Sequence, residues 1–161
     1  MRKLLDGLQL IVYVQGAKFI QLEVFFDMVS NNSTAQINNL FRLLLRVHKS
    51  LIDFQKLVLE ALEQKKFSPY DILQFAFNHP DFEWLRKIST VMAEMDESTS
   101  DKENPPDEKC LKDFARRLNE IFSESSQDID FKNRLNIALA RDAKLSNEVS
   151  ELRSILAKTL A

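Results

Sequence analysis

The chain has few residues that could carry chemistry, and His48 is the first of them. Near neutral pH a histidine can accept a proton or bind a metal ion, and acidic side chains are its usual partners in both roles. Asp96 and Glu97 are the acidic candidates, because Asp96 continues a helical stripe of apolar residues and can reach the interior. Together the three residues predict one kind of site, a small-ligand or metal-binding pocket in a helical bundle.

The sequence around the histidines also supports a simpler interpretation. In carboxylate-bridged helix bundles a glutamate lies three residues before the histidine. In this chain the residue three before His48 is Leu45, and the residue three before His79 is Ala76. His48 is then a hydrogen-bonded core residue, and the acidic residues lie at a solvated helix end. The chain has no G-x-G-x-x-G, phosphate-loop, H-E-x-x-H or G-x-S-x-G motif. We therefore predict no cofactor, no metal and no catalytic residue, and the interpretation leans away from an enzyme.

Composition and charge limit the class of protein. The 161 residues are 45% hydrophobic and 29% charged, as expected of one globular domain. Twenty-two basic and 24 acidic residues give a net charge of −2 without a basic block, so nucleic acid is not an expected partner. The single cysteine, Cys110, cannot form an intramolecular disulfide, which favours a reducing, cytoplasmic location.

The scarcity of glycine predicts an all-α fold. No glycine occurs between Ala17 and Ala161, although glycine is the usual residue in tight hairpins and left-handed turns. From Ser33 onward, apolar residues recur in steps of three and four, which predicts a long helix over residues 34–65. Its first apolar face comprises Ile37, Leu40, Leu44, Val47, Leu51, Phe54, Val58 and Ala61. A second apolar stripe runs beside this face, so the helix should lie at the centre of a bundle of about five helices.

Residues 1–30 allow two structures and are separate from the domain over residues 31–161. β-Branched and aromatic runs on either side of a Gln-Gly-Ala sequence are typical of a β-hairpin over residues 4–29. Apolar residues at seven-residue intervals are equally typical of a helix. Charged side chains interrupt the apolar run, so a membrane span is not predicted. A further alternative is that Met28 is the natural start, and that residues 1–27 are an extension.

After the long helix, prolines and polar residues divide the chain into shorter helices. A capping residue followed by proline predicts a short helix over residues 70–77, and the same device predicts a helix over residues 81–97. Residues 98–108 contain no apolar residue except proline, so we expect a polar linker without an anchor in the core. The next helix is expected to begin at Pro106.

The last helix is expected to begin near Asp128 or Asp130 and carries a heptad pattern. Its C-terminal apolar residues predict a surface for self-association: Leu145, Val149, Leu152 and Leu156. Asp142 lies in the same seam, where a polar side chain lowers stability and can set the register of a coiled coil. The alternative is that this helix packs back on its own bundle with Asp142 at an edge.

Two segments carry patterns that can be compared with other proteins: Leu-Leu-Arg-Val-His-Lys-Ser-Leu-Ile at residues 44–52 and an F-x-W-L…S…M…D-E pattern from Phe82 to Glu97. Together they resemble a group of small, uncharacterised bacterial proteins. The resemblance covers residues 37–97 and implies a bacterial, cytoplasmic, helical protein. It implies no activity, so no functional residue is carried over from the group.

The sequence therefore favours a non-enzymatic helical interaction or scaffolding protein that binds a protein partner or a second copy of itself. The alternative is a ligand- or metal-binding bundle that uses His48 with Asp96 or Glu97. The two hypotheses differ in one structural respect, because only the second requires His48 and Asp96 to converge on one cavity.

Overall fold

The computed structural model describes residues 32–161, and this part of the chain contains helices and no strand. The elements are α1 (Arg2–Glu63, described from Asn32 onward), α2 (Pro69–Asn78), a 3₁₀ helix (Pro80–Leu85), α3 (Arg86–Ser100), α4 (Glu108–Phe122), α5 (Ile129–Arg141) and α6 (Ala143–Leu160). The predicted all-α bundle is confirmed, and none of its described helices is long and apolar enough to cross a bilayer. The choice between hairpin and helix for residues 4–29, and the origin of residues 1–27, lie outside the described residues.

The long helix predicted over residues 34–65 forms the centre of the bundle. Its fully buried face, at most 1% exposed, consists of Ile37, Leu40, Leu44, Val47 and Leu51. The helices α3, α4 and α6 and the 3₁₀ helix pack around it. Further along α1, Phe54 and Val58 are only half-buried, although the pattern placed them on the buried face. The last turns of α1 therefore present an apolar surface that the core does not use.

α1 ends in a left-handed turn made without glycine. Gln64 has φ 53°, a conformation that costs a non-glycine residue about 1 kcal/mol or more. The buried Glu60 holds this turn, because its carboxylate pairs with Lys66 at 2.8 Å and accepts a hydrogen bond from the Phe67 amide at 3.0 Å. Both interactions lower the pKa of Glu60. The turn that leads into α2 thus depends on an ionised glutamate in place of a glycine.

The helix predicted over residues 81–97 begins as a 3₁₀ helix and continues as α3. His79 Nδ1 accepts a hydrogen bond from the Asp81 amide at 3.2 Å, which caps the 3₁₀ helix. Residues three apart are eclipsed in a 3₁₀ helix. This geometry allows Phe82 and Leu85 to enter the core together, at 0% and 2% exposure.

The polar linker expected over residues 98–108 is shorter and better anchored than the sequence indicated. α3 extends into its first residues, and Asp101 then accepts two backbone hydrogen bonds of 2.9 and 3.0 Å. Pro106 is buried, so the expectation of a segment without a core anchor is wrong. The apolar proline ring supplies the anchor, and α4 begins only at Glu108.

The single last helix predicted to extend through Leu156 is two helices. α5 ends and α6 begins at Asp142, whose Oδ1 accepts hydrogen bonds from the amides of Lys144 and Leu145 at 2.9 and 3.0 Å. Aspartate is a favoured helix cap because its carboxylate satisfies backbone donors that have no partner within the helix. Asp142 is thus a cap, and the register role predicted for it in a continuous coiled coil is wrong.

Candidate functional site

His48 lies between α1 and α3, where its ring contacts Ser89. His48 Nε2 and Ser89 Oγ are 3.1 Å apart, so a hydrogen bond joins the two helices. The ring is half-buried, and this burial lowers the pKa of His48. A neutral ring with a hydroxyl partner is therefore the expected state near neutral pH, which is the arrangement of a hydrogen-bonded histidine at the edge of the core.

Asp96 and Glu97 lie at a different level of the bundle from His48. Asp96 follows Ser89, the partner of His48, by two turns of α3, which is about 10 Å along the helix axis. Both carboxylates are exposed. The structure does not bring them together with His48 on one cavity, and residues 32–161 contain no group of three or more acidic, histidine or cysteine side chains that could hold a metal ion.

The third acidic residue near this end of α3, Glu94, has a structural partner. Arg117 of α4 donates two hydrogen bonds to its carboxylate, and the one from Nη2 to Oε1 is 3.0 Å long. Arg117 also lowers the pKa of Glu94. The bidentate pair joins α3 to α4 and offsets the small cost of an acidic residue in the C-terminal half of a helix.

The His48–Ser89 pair has the spacing of a base and a nucleophile without the surroundings that catalysis needs. A catalytic pair requires a group that orients the imidazole and donors that stabilise a developing oxyanion. Within residues 32–161, no side chain hydrogen-bonds to His48 Nδ1. Ser89 lies inside α3, where backbone amides are already bonded to carbonyls one turn back. The pair therefore connects two helices and is not arranged for acyl transfer.

We expect His48 to make the chain less stable in mild acid. Because burial lowers its pKa, the unfolded chain binds a proton near pH 6.5 that the folded chain binds only at lower pH. The free energy of unfolding should thus fall as the pH drops below about 6.5. Thermal melting across this range should show a smaller loss of Tm for His48→Gln than for the parent. The control is Ser89→Ala, which keeps the buried imidazole ring and should show the same change of Tm with pH as the parent. If the Tm of His48→Gln changed with pH as much as that of the parent, this explanation would be wrong.

The four residues predicted as a self-association surface lie inside the bundle. Leu145, Val149, Leu152 and Leu156 are at most 1% exposed. α6 packs against α1, α4 and α5, which cover this apolar seam. These side chains could reach a second copy only if α6 left the bundle, so an interaction surface on the folded chain has to be sought elsewhere.

An apolar groove lies on the surface between the end of α1 and the junction of α5 with α6. It has a volume of about 650 Å³, and its apolar lining comes from Phe54, Leu57, Val58, Ala61 and Leu62. Residues 141–144 form the facing wall. Leu57 and Leu62 are 61% and 73% exposed. The break at Asp142 places a helix junction, instead of a continuous helix, beside this part of α1, and we call the result the apolar groove.

Two acidic and two basic side chains lie at the rim of the apolar groove. Asp53 accepts a hydrogen bond from Lys49 at 2.7 Å. The carboxylate of Asp142 is engaged as the cap of α6. Arg141 and Lys144 make no side-chain hydrogen bond or ion pair with any described residue. The groove thus combines an apolar floor with two available cations.

Sequence reasoning did not identify this groove. Leu57 belongs to neither of the two apolar stripes of α1, and an apolar residue outside both stripes was the available signal. A single exposed leucine is ordinary on a protein surface, so that signal alone had little weight. Which apolar residues of α1 remain uncovered depends on where α5 and α6 meet.

Comparison with known proteins finds no counterpart: no family model matches the chain, and neither a curated protein nor a solved structure matches it. The functional argument therefore rests on the chain's own residues.

Proposed function

We propose that this chain is a non-enzymatic helical interaction protein and that the apolar groove is its binding site. The observation that carries the proposal is the exposure of Leu57 and Leu62, at 61% and 73%, in a groove of about 650 Å³. Scattered exposed leucines need no explanation, but several large apolar side chains in one concave surface are typical of an interaction site.

An amphipathic helix is the ligand that suits this groove. Apolar residues three and four apart on such a helix would lie against Phe54, Leu57 and Leu62. Acidic residues beside that apolar face would pair with Arg141 and Lys144 at the rim. The binding chemistry is therefore apolar contact with an acidic flank.

The proposal includes a cellular setting. The lone Cys110 supports a reducing compartment, and the resemblance described above supports a bacterial cytoplasmic protein. A net charge of −2 without a basic block supports a protein partner in preference to nucleic acid.

Helical peptides test the proposal in solution. A library of amphipathic helical peptides is selected against the purified chain, and the Kd of the enriched peptides is measured by fluorescence anisotropy. Enriched peptides should carry apolar residues three and four apart, and should bind Leu57→Asp at least ~10-fold more weakly than the parent. Leu45→Asp is the matched control, because Leu45 is a 48% exposed residue of α1 outside the groove lining. Peptides that bind the parent and Leu57→Asp equally well would show that the groove is not the binding site.

A further inference from the structure

α2 carries an apolar surface that nothing in the described chain covers. Tyr70, Leu73 and Phe77 are 69%, 54% and 68% exposed. Their spacing of three and four residues places them on one side of the helix. We call these three residues the α2 face. The opposite side of α2 packs on the core through Ile72, Phe75 and Ala76.

α2 packs against the 3₁₀ helix, and none of its residues lines the apolar groove of its own chain. A capping box at Ser68 begins the helix. The Phe75 ring lies 5.1 Å from the Phe67 ring and 6.3 Å from the Phe82 ring, which anchors the opposite side. Only residues 64–68 connect α2 to α1. In a single copy the α2 face and the apolar groove therefore both remain open.

We propose that the α2 face of one copy docks into the apolar groove of a second copy, and reciprocally, in a two-fold symmetric dimer. The proposal rests on the proposed function of the groove and names its partner. Leu62 of the groove and Tyr70 of the α2 face are separated only by a short turn, so both surfaces lie at the same end of the molecule. A two-fold axis at this end allows each copy to supply one face and to receive one.

Charge complementarity supports this occupant. Asp71 is the only charged residue of α2, and the last turn of the helix contains no basic residue. The C-terminal end of α2 lies beside Arg86, whose Nη2 donates a hydrogen bond of 3.2 Å to the carbonyl of the cap residue His79, so the negative charge of α2 is that of Asp71. Arg141 and Lys144 at the rim supply the matching positive charge.

The exposed apolar area is sufficient for a dimer. The three residues of the α2 face and Leu57 and Leu62 of the groove are all more than half exposed. In a two-fold pair these side chains supply on the order of 1,000 Å² of buried surface, from usual values for buried aromatic and leucine side chains. Specific interfaces need about 1,000 Å² in total. The exposed apolar area of the α2 face and the groove on one copy lies at the upper end of the range for monomeric proteins.

Sedimentation velocity on the full chain tests the dimer. The parent should be dimeric at high micromolar concentration. A face variant, Leu73→Asp with Phe77→Asp, and a groove variant, Leu57→Asp with Leu62→Asp, should each dimerise at least ~10-fold more weakly. Ile129→Asp is the control, since Ile129 is 71% exposed and lies outside both surfaces. Its dimerisation should equal that of the parent.

Mixing the two variants tests whether the α2 face contacts the apolar groove. Together they retain one intact α2 face and one intact groove, so the mixture should associate more strongly than either variant alone. All four substituted positions are more than half exposed, and circular dichroism verifies that each variant keeps the parent's helical content. A monomeric parent, a dimer insensitive to either variant, or a mixture no more associated than its components would each overturn the proposal.

Different results would overturn the dimer and the proposed function. A monomeric parent that still binds helical peptides through Leu57 overturns the dimer and leaves the function of the groove standing. A parent that neither dimerises nor binds such peptides overturns both.

Discussion

A chain that carries Val149→Glu and Leu152→Glu is expected to lose its cooperative unfolding transition. Both native side chains are at most 1% exposed, in the seam where α6 packs against α1 and α4. An unpaired charge buried at such a position costs several kcal/mol. Two such charges rival the ~5–15 kcal/mol by which a domain is stable. Thermal melting followed by the helical signal in circular dichroism measures the loss.

The matched control for this variant is Ser150→Glu with Ser154→Glu. It adds the same two charges to the same helix, but at exposed positions. Surface substitutions of this kind change the free energy of unfolding by about 0.5 kcal/mol or less each. A variant of Val149 and Leu152 that melts cooperatively near the parent's Tm would contradict this prediction. It would show that the apolar seam of α6 lies outside the core, where it could bind a second copy.

Replacing Trp84 by alanine should lower the free energy of unfolding by ~3–5 kcal/mol. Trp84 is 7% exposed, and its ring lies 5.5 Å from the Phe131 ring. Its Nε1 donates a hydrogen bond of 3.0 Å to the buried Gln55 Oε1, which connects the 3₁₀ helix to α1. The substitution leaves a cavity between three helices and an unpaired amide. Urea denaturation of parent and variant measures the difference.

Two further variants separate the causes. Trp84→Phe keeps most of the ring contact but leaves the Gln55 carbonyl buried without its donor, and should cost about 1–3 kcal/mol. Ile129→Ala shortens a side chain that is 71% exposed and lies outside the groove and the α2 face, and should change stability by about 0.5 kcal/mol or less. Equal stability losses for Trp84→Ala and Ile129→Ala would show that Trp84 is not a core residue.

The sequence by itself determined where most helices lie. The apolar recurrence from Ile37 to Leu51 predicts the buried face of α1, and the Ser68-Pro69 pair predicts the start of α2. These features are readable because helical periodicity and end caps involve residues within one or two turns of one another. The conformation of Gln64 could not be predicted in this way. Its positive φ is unusual for a residue other than glycine, and the turn is held by the interaction of Glu60 with Phe67.

The sequence is consistent with two structural positions for Asp142. An aspartate in a seam of apolar residues three and four apart fits the interior of a coiled coil as well as the junction of two helices. In the tertiary structure α5 and α6 each bury their own apolar residues against the bundle, and Asp142 between them has an extended backbone conformation.

The candidate site depended almost wholly on the tertiary structure. His48 was identified from the sequence, but its partner Ser89 is 41 residues away and is set by how α3 packs on α1. The apolar floor of the groove likewise consists of residues that would be core if a helix covered them. Local pattern determines which residues are apolar and which face of a helix they share. Only the placement of neighbouring helices decides whether that face is filled or left open, because burial is a property of what lies opposite a side chain and not of the side chain itself.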